Sequence, residues 1–82
     1  MYGIRHDLER DFPEFNMEIS RLKHNDTQFS RLLAEYDDTD KEIYGLEQQS
    51  LPVSDDYFSS LKRRRALLKD QLYTILRQHS FA

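Results

Sequence analysis

The side chains most able to bind ligands or take part in chemistry form two charged clusters of opposite sign. The basic cluster consists of Lys62, Arg63, Arg64 and Arg65, and the acidic cluster of Asp37, Asp38, Asp40 and Glu42. A run of basic side chains can bind the phosphates of a nucleic acid. Consecutive side chains on a helix, however, point around most of its circumference, so the run does not form one basic face. We therefore expect the two clusters to neutralise each other, and keep nucleic-acid or nucleoid-associated binding through residues 62–65 as the alternative function.

Metal and catalytic chemistry lack the residue patterns that they require. The acidic cluster has no glycine-bearing loop of the kind that binds calcium. His6, His24 and His79 are too far apart in sequence to place two metal ligands on one helical face. The chain has no cysteine, which excludes disulfides and thiol catalysis. The sequence therefore predicts a protein that is not an enzyme and has no cofactor, bound metal or small-molecule substrate.

Composition indicates a small, folded, charged protein. The chain has 82 residues, 33% of them charged, with a net charge of -3, five Phe and five Tyr. Its length predicts a single domain, and its aromatic content argues against disorder. The acidic balance disfavours general binding to nucleic acids or anionic membranes. With no secretory signal and no apolar run of about 20 residues to span a membrane, we expect a cytoplasmic protein.

Two apolar stripes with heptad spacing determine the expected architecture. The first consists of Phe29, Leu32, Tyr36, Thr39, Ile43 and Leu46, and the second of Phe58, Leu61, Arg65, Leu68, Leu72 and Ile75. A polar break that contains Pro52 separates them. We therefore predict an all-α fold in which helices over about 27–48 and 55–78 form an antiparallel, coiled-coil-like hairpin.

A shorter N-terminal helix is expected over about 12–23, with an apolar face formed by Phe12, Phe15, Ile19 and Leu22. Asp11 and Glu14 have the spacing of a capping box, which would start this helix. It should pack at the open end of the hairpin. Residues 1–11 are expected to be loosely ordered, and the whole chain, 1–82, to form one helical domain.

Pairing the two stripes places Arg65 at a polar layer in the middle of the hairpin. This position faces Thr39 and the acidic cluster. A charge within a helical seam is tolerated when it is paired, and one polar layer can determine register. We therefore predict an ion pair between Arg65 and Asp40 that sets the alignment of the hairpin.

Several apolar side chains remain after the seam is filled. They are Leu33, Tyr44, Leu67, Tyr73 and Leu76. Some of them must receive the N-terminal helix, which is the expected role of Leu33, Tyr73 and Leu76. The remainder form a candidate interaction surface for a protein partner or for a second copy of the chain, since contiguous exposed apolar patches mark interaction sites.

The residues also suggest a family. The most specific segments are Tyr36-x-x-x-Asp40-x-Glu42-Ile43 and Leu68-Lys69-Asp70, within a pattern that extends over about residues 12–77. In these features the chain resembles the YdcH-like small bacterial proteins of unknown function. The resemblance implies a cytoplasmic helical hairpin that tends to coiled-coil association, and it assigns no catalytic residue. Gly45 departs from the long charged residue expected there.

Taken together, the patterns favour a small, non-catalytic, cytoplasmic interaction or adaptor protein that acts through a coiled-coil-like helical surface. Self-association as a homodimer is one form that this function could take.

Overall fold

The computed structural model describes residues 7–49 and 54–79, which form helices and turns and contain no strand. The elements are α1 (Leu8–Asp11), a 3-10 turn (Pro13–Phe15), α2 (Asn16–Asn25), α3 (Thr27–Gln49) and α4 (Asp55–His79). The two long helices pack against each other as an antiparallel hairpin, and α2 packs mainly on α3. The predicted all-α hairpin with a shorter N-terminal helix is confirmed.

Polar side chains cap the starts of both long helices. Asp26 Oδ1 accepts a hydrogen bond of 3.0 Å from the Phe29 backbone N–H, at the start of α3. Ser54 Oγ accepts one of 3.1 Å from the Tyr57 backbone N–H, at the start of α4. Each cap satisfies a donor that has no partner within its own helix. The connection between the helices, including Pro52, lies at residues 50–53, outside the described part of the chain.

The N-terminal segment differs from its prediction. Asp11 lies inside α1 and is not a cap, and α2 begins at Asn16 rather than near residue 12. The chain leaves the helix at Phe12, where φ is -128° and ψ is 65°, because the residue before a proline is driven away from helical geometry. Within the segment expected to be loosely ordered, residues 8–11 form α1, and Leu8 is only 3% exposed and joins the core. The expectation for residues 1–6 lies outside the described residues.

The hydrophobic core lies on one side of the hairpin, towards its open end. The N-terminal segment contributes Leu8, Phe15, Ile19 and Leu22, α3 contributes Phe29, Leu33 and Tyr36, and α4 contributes Leu68, Leu72 and Leu76. Towards the connection, Ile43 and Leu61 are buried between the two long helices. The molecule is elongated, with extents of 47, 21 and 17 Å. Among the described helices, none combines the length and apolarity that a bilayer crossing requires.

Candidate functional site

A charged layer crosses the middle of the hairpin. Arg65 Nη1 on α4 lies 2.8 Å from Asp40 Oδ1 on α3. The Asp40 side chain is 2% exposed and that of Arg65 is 19% exposed. Beside them, the hydroxyl of the buried Thr39 donates a 2.8 Å hydrogen bond to the Glu35 carbonyl. The two residues predicted to pair are therefore in contact, at the layer where the seam patterns place them.

Tyr36 lies one turn before Asp40 on α3 and is completely buried. Among the described residues, its hydroxyl has no hydrogen-bond partner. Burial, together with the nearby negative charges of Asp11 and Asp40, raises the pKa of Tyr36 to about 12. The phenol therefore stays protonated near neutral pH and cannot serve as a base there. From sequence, Tyr36 was assigned only an apolar role in the seam.

A second ion pair attaches the N-terminal segment to this layer. Lys69 Nζ lies 2.9 Å from Asp11 Oδ2 and 5.4 Å from the centre of the Phe12 ring. Asp11 was expected to cap a helix, and no sequence signal pointed to its contact with α4. The pair joins residues far apart in the chain, so only packing brings them together.

The basic cluster is largely occupied by local contacts. Lys62 Nζ lies 4.4 Å above the Phe58 ring, Arg64 lies 3.9 Å from Glu35, and Arg65 pairs with Asp40. In the acidic cluster, Glu42 accepts a hydrogen bond from the Tyr57 hydroxyl, and this bond raises the pKa of Tyr57. Three of the four basic side chains thus contact other side chains, and among these contacts only the Arg65–Asp40 pair joins the basic cluster to the acidic cluster.

Three of the five apolar candidates lie under or against the N-terminal segment. Leu33 and Leu76 are 7% and 0% exposed, and both belong to the core under α2. Tyr73 packs on Phe12 and Phe15, with ring centres 5.1 and 5.9 Å apart. These three side chains support the N-terminal segment and are not an exposed surface.

Tyr44 and Leu67 are the candidates outside the core. Tyr44 is partly buried and lies one helical turn after Asp40. It is on the side of the hairpin against which α2 packs nearer the open end. Leu67 is 64% exposed and shares a face of α4 with Gln71, Thr74 and Gln78. The two do not form a single patch.

A shallow groove runs between α3 and α4 on the side away from α2. Its volume is about 420 Å³, and its lining consists of Gln28, Leu32, Gln71, Thr74, Ile75 and Gln78. We call this lining together with Leu67 the uncovered face. Leu32 and Ile75 are only partly buried, although the sequence placed both within the seam. The described side chains of the groove are all uncharged, so it can accept an apolar or amide-bearing partner and offers no catalytic acid or base.

The described part of the chain contains no set of side chains arranged as metal ligands. Across residues 7–49 and 54–79, no group of three or more His, Cys, Asp or Glu side chains is placed to hold a metal ion.

Comparison with known proteins identifies a family and no activity. No curated protein and no solved structure matches the chain significantly. A family model described as "Protein of unknown function (DUF465)" matches residues 29–76, which contain nearly all of α3 and α4. The match covers more than half of the 82 residues and agrees with the resemblance to the YdcH-like proteins. The chain therefore belongs to the DUF465 family, whose function is unknown.

Proposed function

We propose that this protein is a small, non-catalytic interaction or adaptor protein that binds a protein partner through the uncovered face. The supporting observation is Leu67, a leucine that is 64% exposed beside an uncharged groove between two helices. An exposed leucine beside a groove between two helices can serve as an apolar anchor for a partner helix. The cytoplasmic location included in the proposal rests on the resemblance to the YdcH-like proteins.

Nucleic-acid binding through residues 62–65 has less support. Lys62, Arg64 and Arg65 already contact Phe58, Glu35 and Asp40, so binding a phosphate would require these contacts to break. Phosphate-driven binding also depends steeply on salt. A mobility shift of duplex DNA or RNA that appears at low salt and is lost in Arg63→Gln/Arg64→Gln would favour this alternative over the proposal.

Site-specific photocrosslinking in cells that express the chain tests the proposal. A photoreactive phenylalanine analogue replaces Leu67, and the matched control carries it at Met17, which is 83% exposed on α2. We expect a discrete protein adduct from position 67 and none from position 17. Equal labelling at the two positions, or no adduct at either, would contradict binding through the uncovered face.

A further inference from the structure

We infer that the uncovered face binds a second copy of this chain, as an antiparallel two-fold pair of α4 helices centred on Gln71. This inference rests on the proposed function and names its partner. It follows from the spacing of residues on α4, from the charge of the face and from the area that two copies can share.

The spacing makes the face complementary to itself. Leu67 and Ile75 lie four residues before and after Gln71. When two α4 helices pack antiparallel with the two-fold axis at Gln71, Leu67 of one copy lies opposite Ile75 of the other. The exposed Leu67 would then enter the groove in which Ile75 and Leu32 are partly exposed. Contacts of this reciprocal kind define a two-fold symmetric interface.

The charge of the face permits a second copy to bind. The chain carries a net charge of -3, so a contact between two copies should not place further like charges against each other. The groove lining is uncharged, and the same geometry places Arg64, which pairs with Glu35, opposite the neutral Gln78. Gln71 meets its own copy at the axis, where two side-chain amides can each donate and accept a hydrogen bond.

The shared area predicts a weak dimer. An antiparallel pair centred on Gln71 overlaps over the last 17 or so residues of α4, a length of about 24 Å. The contact is one face of a single helix over this length, which is small for a specific interface. We therefore expect dissociation in the micromolar range or weaker, and a mass that depends on concentration.

The first experiment is sedimentation equilibrium of the full chain from about 10 µM to about 1 mM, a range that brackets such affinities. The mean mass should rise from that of the 9.9 kDa monomer towards twice that value. Leu67→Glu should abolish the rise, and Met17→Glu, which charges another exposed apolar residue, should leave it unchanged. A mass that stays monomeric throughout, or a rise that Leu67→Glu does not affect, would overturn the inference.

The second experiment tests the antiparallel geometry by disulfide trapping, because the chain has no natural cysteine. Gln71→Cys places a thiol at the axis, where it meets its copy. Gln78→Cys makes the same substitution on the same face, but its copies would be about 21 Å apart along the helices, too far for a disulfide. We expect rapid, reducible dimer formation for Gln71→Cys only, and equal trapping of the two variants would overturn the two-fold placement.

Failure of the inference can be distinguished from failure of the proposed function. A monomeric chain that still gives a crosslink from position 67 to a different protein would overturn self-pairing and leave the interaction role intact. A monomeric chain with no crosslink at position 67 would overturn both.

Discussion

Asp40 and Arg65 hold the middle of the hairpin through a contact of opposite charges with very little exposure to water. Removing two charges from water is costly, and their attraction offsets this cost only when the geometry is good. Here the two atoms lie 2.8 Å apart, and the aspartate side chain is 2% exposed. We expect the pair to specify alignment more than it adds stability, since any shift of α3 along α4 would separate the charges.

Replacing Arg65 by Met is therefore expected to lower the free energy of unfolding by about 3 kcal/mol, because the buried Asp40 carboxylate loses its guanidinium. The double variant Asp40→Leu/Arg65→Met should recover most of this loss. Urea unfolding measures both changes, with Arg63→Met as the control for loss of an exposed arginine two residues earlier. Equal effects of Arg63→Met and Arg65→Met would contradict a special role for the buried pair.

The register role of the pair requires a separate observation. If the pair sets the alignment, the apolar double variant should show exchange-broadened or doubled amide resonances along α3 and α4. A single set of sharp resonances at wild-type positions would show that the apolar layers alone determine the register.

Tyr36 makes stability sensitive to alkaline pH. The pKa of its hydroxyl is about 12 in the folded chain, against about 10 for an unfolded tyrosine. Between these values the unfolded chain loses the proton while the folded chain keeps it. The stabilisation is therefore complete below pH 10 and is lost as pH rises towards 12, by up to about 2 kcal/mol.

Tyr36→Phe is expected to remove this part of the alkaline loss. Because the hydroxyl has no hydrogen-bond partner among the described residues, the variant should be at least as stable as the wild type at pH 7. Urea unfolding at pH 7, 10 and 11 measures the difference. A variant that retains the full alkaline loss would show that other groups cause it.

At the scale of elements, α3 is continuous through Gly45. The helix extends from Thr27 to Gln49 without a break at this glycine. Apart from its chain neighbours and the backbone of its own helix, a methyl group placed at Gly45 would meet no described atom within 4 Å. The glycine therefore contributes only its backbone entropy, which disfavours a helix by about 1 kcal/mol relative to alanine.

Gly45→Ala should accordingly stabilise the chain by up to about 1 kcal/mol, which raises the Tm by about 4–8 °C in a domain of this size. Differential scanning calorimetry measures the shift. The control is Ala34→Gly, an exposed position within the same helix, which should lower the Tm by a similar amount. A Tm that is unchanged or lower in Gly45→Ala would mean that the glycine serves a purpose other than helix formation.

At the scale of the whole molecule, the N-terminal segment and the hairpin share one core. Ile19 on α2 is 0% exposed and packs with residues of both long helices. Arg21 Nη2 also donates a 3.3 Å hydrogen bond to the His79 carbonyl at the end of α4. A small domain of this kind is expected to unfold as one cooperative unit.

Ile19→Ala should therefore destabilise the hairpin as well as α2, by about 3 kcal/mol. Met17→Ala, two residues earlier and 83% exposed, is the matched control and should change stability little. Hydrogen exchange of α4 amides measures the effect on the hairpin. Loss of protection confined to α2 would show that the N-terminal segment unfolds independently.

The helical hairpin could be predicted from the sequence because its information is local and periodic. Heptad spacing specifies which faces of α3 and α4 meet, and Asp26 and Ser54 accept the hydrogen bonds that cap their first turns. The Asp40–Arg65 contact followed from the same periodicity, since antiparallel pairing places the two positions in one layer.

The tertiary structure alone decided how the N-terminal segment is attached to the hairpin. The sequence predicted that Leu33, Tyr73 and Leu76 receive this segment, and Leu33 and Leu76 are buried while Leu67 is 64% exposed. The contact of Asp11 with Lys69 was not predicted, because it forms only when Leu8 docks on the core and the chain turns at Phe12 and Pro13. The period of a stripe specifies that a helix has a buried face, whereas an ion pair between a short segment and a distant helix depends on contacts between residues far apart in sequence, which no local pattern encodes.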